Sequence, residues 1–269
     1  MDFRYVTLAS SSSGNCALAE YGGTRLLIDA GLSYTRIQKA LEQIGILPDS
    51  LSAILLTHEH WDHVSGLAAL MKRSGKPVYT TYGSFEGLAR LSFFERLPKQ
   101  NFHLFHAGES FHLGDFTVRS LPVRHDAGEP VAFRLEADGV QFASVTDLGE
   151  VDEALVGALS GLNALLLEAN HDTRMLEMGP YPYPLKLRIA GSKGHLSNEM
   201  SAGLLCRLAG PELKAVILGH LSQTNNYPLL ALETAKSELI RQGIDPKSFT
   251  LTAAPPEGFS ETVILHGRK

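Results

Sequence analysis

Three histidines and two carboxylates lie within one six-residue segment, His58-Glu59-His60-Trp61-Asp62-His63. Residues two apart in an extended segment or tight loop point to the same side, so His58 and His60 can bind one metal ion together. The side chains of Asp62 and His63 lie further round the turn and can bind a second ion. Imidazole and carboxylate ligands suit zinc, manganese or iron, and the absence of thiolates argues against a closed structural zinc site. The segment therefore predicts a reactive metal centre.

Five short apolar runs along the chain end abruptly in a polar residue that can do chemistry. The residues that end these runs are Asp29, His58, Asp147, Glu168 and His220. Runs of four or five apolar residues are typical of strands that are covered on both faces. Strand ends in α/β proteins meet at one rim of a sheet, where binding and catalytic sites usually lie. The pattern predicts that several strands deliver these side chains to a single site.

The apolar runs alternate with helical patterns, which favours sheets packed between layers of helices. The predicted strands are Arg25–Ile28, Ala53–Leu56, Pro77–Thr80, Phe116–Leu121, Val131–Glu136, Gln141–Val145, Asn163–Leu167 and Lys214–Leu218. The predicted helices are Tyr34–Ile44, Ser65–Arg73, Ser84–Arg90, Glu150–Leu159, Asn198–Leu208 and Leu229–Gln242.

Length and composition indicate one globular domain that spans residues 1–269. The chain is 44% hydrophobic and 20% charged, and no low-complexity segment or linker divides it. The net charge of −5 is not the footprint of a basic nucleic-acid-binding domain. A nuclease stays possible, because a metal centre supplies local positive charge.

The ends and the cysteines of the chain predict a cytoplasmic protein. The N-terminal segment has no basic region followed by a long apolar stretch, as a signal peptide would, and no apolar run is long enough to span a bilayer. Cys16 and Cys206 are 190 positions apart and form no Cys-x-x-Cys pattern, so we expect two reduced thiols. No membrane partner is expected.

The His-x-His-x-Asp-His cluster resembles the signature of the metallo-β-lactamase superfamily. The resemblance implies a four-layer αββα sandwich of the α/β (α+β) class, with two mixed sheets between helical layers and two metal ions at one edge. It also implies roles for individual residues. The first ion would be held by His58, His60 and His125, the second by Asp62, His63 and His220, with Asp147 as the bridge and Asp29 as the support of the ligands from behind.

Further segments resemble the bacterial YycJ/WalJ family of DNA exonucleases. They are Ser11–Cys16, Thr57–His63, His125–Pro130, Glu168–Asp172, Gly179–Pro182, Leu185–Ile189, Gly194–Asn198 and Gly219–Ser222. This resemblance implies 5′→3′ digestion of DNA and a part in DNA repair. No insertion is large enough for a β-CASP domain.

Two residues, Glu168 and His195, match a pair that assists proton transfer to the leaving group in the nuclease branch of the superfamily. The expected reaction is phosphodiester hydrolysis by a water activated between two divalent ions, zinc or manganese. Asp62 would orient the water or accept its proton. The predicted catalytic residues are therefore Asp62, Glu168 and His195.

Two segments are candidates for binding the DNA substrate. The first is a serine- and glycine-rich turn, in which Ser12, Ser13 and Asn15 could contact phosphate, although a plain hairpin turn explains it equally well. The second segment carries Lys186, Arg188 and Lys193, which could neutralise phosphates, although a solvated strand and loop is an equal alternative.

Two other functions remain open from the sequence. One is hydrolysis of a small molecule, for example a thioester, a lactone or a cyclic phosphodiester, because this fold hosts many chemistries. The other is a non-catalytic scaffold, which the complete ligand set disfavours. A basic groove leading to the metals would favour nucleic acid over a small molecule.

Overall fold

The computed structural model describes residues 1–255 and 258–267. The strands in these ranges are β1 (Asp2–Ser11), β2 (Gly14–Tyr21), β3 (Thr24–Ile28), β4 (Ala53–Leu55), β5 (Val78–Thr81), β6 (Phe102–Phe105), β7 (Ser110–Leu113), β8 (Phe116–Pro122), β9 (Val131–Ala137), β10 (Val140–Val145), β11 (Ala164–Glu168), β12 (Ala215–Gly219), β13 (Thr250–Ala253) and β14 (Val263–His266). The α-helices are α1 (Tyr34–Gln43), α2 (Trp61–Val64), α3 (Leu67–Ser74), α4 (Tyr82–Leu88), α5 (Glu153–Ala158), α6 (Thr173–Met178), α7 (Tyr183–Ala190), α8 (Asn198–Leu208) and α9 (Pro228–Arg241). None of these helices has the length and apolar character needed to cross a membrane.

The strands form two mixed sheets with the same internal plan. The first has the order β14-β1-β2-β3-β4-β5-β6 and the second the order β13-β12-β11-β10-β9-β8-β7. In the first sheet β1, β2 and β3 are joined as antiparallel neighbours, and β3 to β6 run parallel. In the second sheet β7 to β10 are antiparallel, and β10 to β13 run parallel. Parallel strands put their carboxyl ends at one edge, which is where a site can form.

Three separate apolar cores show how the layers stack. Alternate residues of one strand enter different cores, since successive side chains of a strand point to opposite faces. Leu166 packs into the core between the sheets, whereas its neighbours Leu165 and Leu167 pack against helices α5, α8 and α9. In the other sheet Leu26 faces the central core, and Leu27 packs against α1 and α3. Three cores separate four layers, which confirms the predicted αββα sandwich.

Most predicted elements are present, with shifted ends. The helix expected at Ser65–Arg73 is α3, which begins two residues later, and the short helix α2 before it was not predicted. The helix expected at Glu150–Leu159 begins only at Glu153, after the N-cap Asp152. The hairpin turn considered for the serine-rich segment is present, but its strands β1 and β2, the edge strands and the helices α6 and α7 were not predicted. Of the two free cysteines, Cys16 is buried and Cys206 is partly exposed.

The loop after β3 contacts helix α2 and the start of β2 through backbone hydrogen bonds. The loop after β3 donates from Ala30 N to the carbonyl of His63 and from Gly31 N to the carbonyl of Asn15, both at 2.8 Å. A Cβ atom at Gly31 would lie 1.6 Å from the carbonyl oxygen of Asp62. Only glycine therefore permits this approach, which fixes the histidine-rich segment against the sheet.

The substitution Gly31→Ala is expected to lower the free energy of unfolding by about 2 kcal/mol or more, because the added methyl group collides with rigid backbone. Gly203→Ala is the matched control, since its Cβ would meet nothing within 4 Å inside helix α8. That control should raise the free energy of unfolding by up to about 1 kcal/mol. Urea denaturation of both variants measures the difference, and equal midpoints would contradict the role given to Gly31.

Candidate metal centre

Side chains from five strand ends or the loops after them, and from the loop between α7 and α8, converge at one edge of the sandwich. The groups whose ligand atoms lie within 4.8 Å of one another are His58, His60 and His125; His58, His63 and Asp147; Asp62, His63 and His220; and Asp147, Glu168, His195 and His220. The structure thus brings together residues that are up to 162 positions apart in the sequence, as the strand-end pattern predicted.

His60 and His125 approach each other with the nitrogen atoms that no backbone group uses. His60 Nε2 donates to the carbonyl of Asp126 at 3.2 Å, and His125 Nδ1 donates to the carbonyl of Gly194 at 3.1 Å. The remaining nitrogens, His60 Nδ1 and His125 Nε2, are 3.2 Å apart. Two nitrogens bound to one tetrahedral zinc ion would be about 3.3 Å apart, so this separation fits a shared ion.

His63 is oriented by a buried carboxylate behind it. Its Nδ1 donates to Asp29 Oδ2 at 2.8 Å, and Asp29 Oδ1 also accepts from the backbone N–H of Thr57 at 2.9 Å. The Thr57 hydroxyl lies 3.0 Å from both Asp29 Oδ1 and His58 Nδ1. With both Nδ1 atoms engaged, the Nε2 atoms of His58 and His63 are directed to the centre.

Glu168 has the same relation to two further histidines. Its Oε1 atom lies 2.8 Å from the Nδ1 atoms of both His195 and His220. Its Oε2 atom accepts from the backbone N–H groups of Leu148 and Leu196 at 2.9 and 3.2 Å. The side chain is fully buried and its oxygens are occupied by these donors, so it positions the two imidazoles.

Asp147 lies between the two sets of histidines. Its Oδ2 atom is 3.1 Å from His63 Nε2, and its Oδ1 atom is 3.6 Å from both His125 Nε2 and His220 Nε2. Asp62 Oδ2 approaches the same region, 3.5 Å from His63 Nε2 and 3.6 Å from His220 Nε2. The Asp147 carboxylate therefore faces His125 on one side and His63 and His220 on the other.

Several of the converging atoms are buried without a hydrogen-bond partner among the residues that the structure describes. They are His58 Nε2, His220 Nε2 and Asp147 Oδ2. Buried polar atoms without partners are rare in folded proteins, because each costs about 1–3 kcal/mol. These three atoms converge on the same centre. They are nitrogen and oxygen atoms that can coordinate a metal, and they suit divalent cations such as zinc or manganese.

The backbone is left-handed at three of these positions. Asp29, Asp147 and His220 have φ angles of 60°, 58° and 56°. Within the described ranges the only other non-glycine residue of this kind is Asp138, which lies in the turn between β9 and β10. Left-handed backbone disfavours residues with a Cβ atom, and its concentration at the strand ends marks a functional site.

The carboxylates raise the pKa values of two of the buried histidines. Burial by itself would lower the pKa of His63, but the surrounding carboxylates, Asp147 foremost, raise it well above the usual value. Burial opposes the charge of His220 too, yet Asp147 and its other acidic neighbours raise its pKa to about 10. A cation that binds through Nε2 must displace these protons, so metal affinity should increase with pH.

The carboxylates in turn stay ionised despite their burial. Burial would raise the pKa of Asp147, but His220 and His63 hold it well below the usual range. Burial likewise opposes the charge of Glu168, while His195 and His220 lower its pKa to about 2. The site is thus a balanced set of opposite charges and keeps negative oxygens available for a metal ion.

The serine-rich segment forms the tight hairpin between β1 and β2. Ser12 and Ser13 are exposed, and Ser13 Oγ accepts from Gln223 Nε2 at 3.0 Å. Asn15 is buried instead, with Nδ2 3.2 Å from Asp62 Oδ2 and 3.0 Å from His63 Nε2. The turn therefore borders the cluster, and Asn15 contacts it directly.

Lys186 and Arg188 lie on helix α7, which corrects the strand that was considered for this segment. Pro184, in the first turn, starts the helix readily, because proline needs no N–H partner there. Arg188 Nε donates to Asp126 Oδ2 at 2.6 Å, which connects the helix to the loop of His125. Lys186 Nζ donates to the carbonyl of Glu177 at 2.6 Å. Lys193 follows the helix and is exposed.

Some residues that hold the candidate ligands in place were not predicted from the sequence. The role of Thr57 could have been predicted, because a hydroxyl directly before the first histidine can hydrogen-bond to neighbouring side chains. The roles of Asp126 and Gly194 could not have been predicted, because these residues contact His60 and His125 through backbone carbonyl oxygens, which every residue has. Glu168 was predicted, but its simultaneous contact with two histidines depends on tertiary structure.

Comparison with known proteins agrees with the resemblance seen in the sequence. The family described as Beta-lactamase superfamily domain matches residues 24–220. The chain is 36% identical over 251 residues to the exodeoxyribonuclease WalJ of Streptococcus pneumoniae, covering 92% of this chain and 93% of WalJ. It is 34% identical over 243 residues to the exodeoxyribonuclease YycJ of Bacillus anthracis, covering 90% and 91% of the two chains.

Solved structures show the same fold. The metallo-β-lactamase fold protein YhfI from Bacillus subtilis superposes with a TM-score of 0.73 and 15% identity, over 98% of this chain and 99% of YhfI. The four-layer architecture is thus shared between chains whose sequences have diverged widely.

The substitution Asp29→Asn is expected to weaken metal binding about 10- to 100-fold, because His63 loses the charged acceptor that orients it. Asp115→Asn is the matched control. Asp115 also accepts hydrogen bonds, from Gly23 N and Thr24 Oγ1, but at the other end of β3. Competition with a chelator measures the affinity of each purified variant. Equal affinities for Asp29→Asn and the wild type would contradict this role.

Proposed function

The chain belongs to the metallo-β-lactamase superfamily of metal-dependent hydrolases, and we propose that it is an exodeoxyribonuclease that removes nucleotides from DNA in the 5′→3′ direction. The relatives named exodeoxyribonuclease match more than nine tenths of both chains, which supports the reaction type. The observation that carries the proposal is the position of Asp147 between two sets of histidines.

In this proposal the chain holds two divalent cations, zinc or manganese. The first set of ligands is His58, His60 and His125, the second is Asp62, His63 and His220, and Asp147 serves both. The close approach of His60 Nδ1 to His125 Nε2, and the unpartnered Nε2 atoms of His58 and His220, support this division. Two such ions supply Lewis-acid stabilisation of a phosphodiester and lower the pKa of a water molecule.

Asp62 is the proposed acceptor for the proton of the attacking water. A quarter of its side chain is exposed, unlike the buried Asp147, so solvent and substrate can reach it. Burial opposes its ionisation, but His63 and His220 hold its pKa well below the usual range. The carboxylate is therefore ionised at neutral pH and available to orient a water molecule.

His195 is the proposed proton donor to the leaving oxygen. Its side chain is 18% exposed, and Nδ1 is fixed on Glu168 at 2.8 Å, which leaves Nε2 for the substrate. The hydrogen bond to Glu168 fixes the orientation of the His195 imidazole, as a buried carboxylate does for a catalytic histidine. Glu168 thus acts through His195 and does not touch the substrate itself.

The proposed contacts to the DNA backbone flank this centre. Ser12, Ser13 and Lys193 are exposed, whereas Arg188 first has to leave its ion pair with Asp126 or to bind phosphate from within it. Lys186, on the exposed helix α7, is a further proposed contact to a phosphate. Asn15 orients Asp62 and His63 in this proposal.

The substitutions Asp62→Ala and His60→Ala are each expected to abolish hydrolysis of end-labelled duplex DNA, because each removes a proposed metal ligand. Asp62→Ala also removes the proposed proton acceptor. His112→Ala is the control, since His112 is an exposed histidine on β7. EDTA should inactivate the wild-type enzyme, and zinc or manganese should restore it. Near-normal turnover by a folded Asp62→Ala or His60→Ala variant would refute the assignment.

Cleavage of bis-p-nitrophenyl phosphate without cleavage of DNA would favour a small-molecule hydrolase.

The substitution His195→Ala is expected to lower kcat on DNA about 10²- to 10⁴-fold, the usual contribution of general acid catalysis. The loss on bis-p-nitrophenyl phosphate should be much smaller, because p-nitrophenolate leaves without a proton. The ratio of the two kcat values, compared with that of His112→Ala, isolates the proton donor. An equal loss on both substrates would show that His195 has a structural role only.

A further inference from the structure

The single tryptophan of the chain is exposed beside the metal centre. Trp61 lies between the proposed ligands His60 and Asp62 and begins helix α2. Its relative exposure is 63%, although large aromatic side chains are usually mostly buried. Consecutive Cα atoms are about 3.8 Å apart, so its backbone is directly adjacent to that of two ligands. The packing of the core does not explain why this side chain faces solvent.

Trp61 lines a groove of about 810 Å³. Helix α3 lines one side, with Ala68, Met71 and Lys72, and the segment from Phe93 to Asn101 lines the other. A volume of this size lies within the range of about 300–1,000 Å³ that is typical of ligand sites. The groove is therefore large enough for a nucleotide, and its lining residues Trp61 and Ser65 flank the proposed ligands Asp62 and His63 in the chain.

The orientation of the indole ring is fixed by a buried aromatic residue. The ring centroids of Trp61 and Phe93 are 6.0 Å apart, with an angle of 59° between the planes. Phe93 itself is only 6% exposed, so it is a rigid support. An aromatic ring supported in this way and otherwise exposed can stack on a nucleic-acid base of any type, because every base has a π-face.

The charges that line the groove have one sign. Lys72 and Arg96 are its charged lining residues, and no carboxylate lines it among the residues that the structure describes. Neither side chain takes part in a salt bridge within the described ranges. The nearby Glu95 is paired with Lys99 at 3.0 Å. In a chain of net charge −5, such a groove attracts an anion selectively.

We propose that this groove binds the DNA strand next to the phosphodiester that is cleaved, and this inference rests on the proposed exonuclease function. One base stacks on Trp61, and the flanking phosphates pair with Lys72 and Arg96. The combination of an exposed aromatic ring with unpaired cations is the usual design of sites for single-stranded nucleic acid. Position and charge together make the groove a subsite for the substrate strand.

Binding is tested with the metal-loaded enzyme and a labelled single-stranded oligodeoxynucleotide made resistant to hydrolysis by phosphorothioate linkages. In the wild type the oligonucleotide should quench the emission of Trp61, the chain's one tryptophan. By fluorescence anisotropy, Trp61→Ala should raise the Kd roughly tenfold, whereas Trp61→Phe should restore most of the affinity, because base stacking needs a ring. An unchanged tryptophan emission and equal Kd values for the wild type and Trp61→Ala would overturn the proposal.

The double substitution Lys72→Ala and Arg96→Ala tests the phosphate contacts. Each lost contact to single-stranded DNA should reduce the slope of log Kd against log salt concentration by about 0.7. The matched controls are Lys236→Ala and Ile240→Ala, which line a groove on helix α9 in the other helical layer together with Glu233 and Asp245. These controls should leave Kd and slope unchanged. A double variant with the wild-type slope would contradict the pairing.

The outcome for the groove is separable from the outcome for the proposed function. If the wild type degrades DNA and the groove variants keep its KM and Kd, the groove is not the subsite while the exonuclease stands. If the wild type binds the oligonucleotide through Trp61 but degrades no DNA, the groove stands and the exonuclease function fails. Raised KM on DNA in Trp61→Ala, relative to the controls on α9, supports both.

Discussion

The structure of the site depends on hydrogen bonds between buried carboxylates and histidine Nδ1 atoms. Asp29 holds His63, and Glu168 holds both His195 and His220, in each case at 2.8 Å. A neutral imidazole has one donor and one acceptor nitrogen, so fixing Nδ1 as the donor leaves Nε2 as the acceptor that a metal ion requires. The same contacts supply the charge balance that makes burial of several ionisable groups tolerable. Ligand geometry and fold stability therefore rest on the same few interactions.

The backbone carries part of the cost of this arrangement. Asp29, Asp147 and His220 all turn into the left-handed region directly after, or close to, the end of a buried parallel strand. Each such residue costs of the order of 1–3 kcal/mol, and it persists only where the surroundings hold it. The three apolar cores, which bury the strands on both faces, provide that constraint. A site of this kind belongs at the ends of the most deeply buried strands.

The central strands and the residues at their ends could be predicted from the sequence, because buried parallel strands appear in it as short apolar runs. It was not sufficient for β1, whose polar and apolar residues mix although most of the strand is buried. Helix α7 was missed because Pro182 and Pro184 suggest extended chain, and its place depends on tertiary contacts such as those of Arg188 with Asp126 and of Lys186 with Glu177. The groove beside Trp61 was invisible for a related reason. It exists only because the segment around Phe93 folds back against α3, and no local pattern predicts that approach.

An acidic chain that binds DNA has to concentrate its positive charge near the scissile bond, because its overall field repels the polyanion. Arg188 adjoins the centre through Asp126, beside His60 and His125, whereas Lys72 lines the same groove as Trp61. These two basic regions border the same histidine-rich segment by different routes. In the proposed arrangement, the strand contacts protein on both sides of the metal pair, and binding energy is spent on placing one phosphodiester there. Net charge alone therefore says little about whether such an enzyme acts on nucleic acid, since in this proposal a few cations and one exposed ring supply the contacts to the strand.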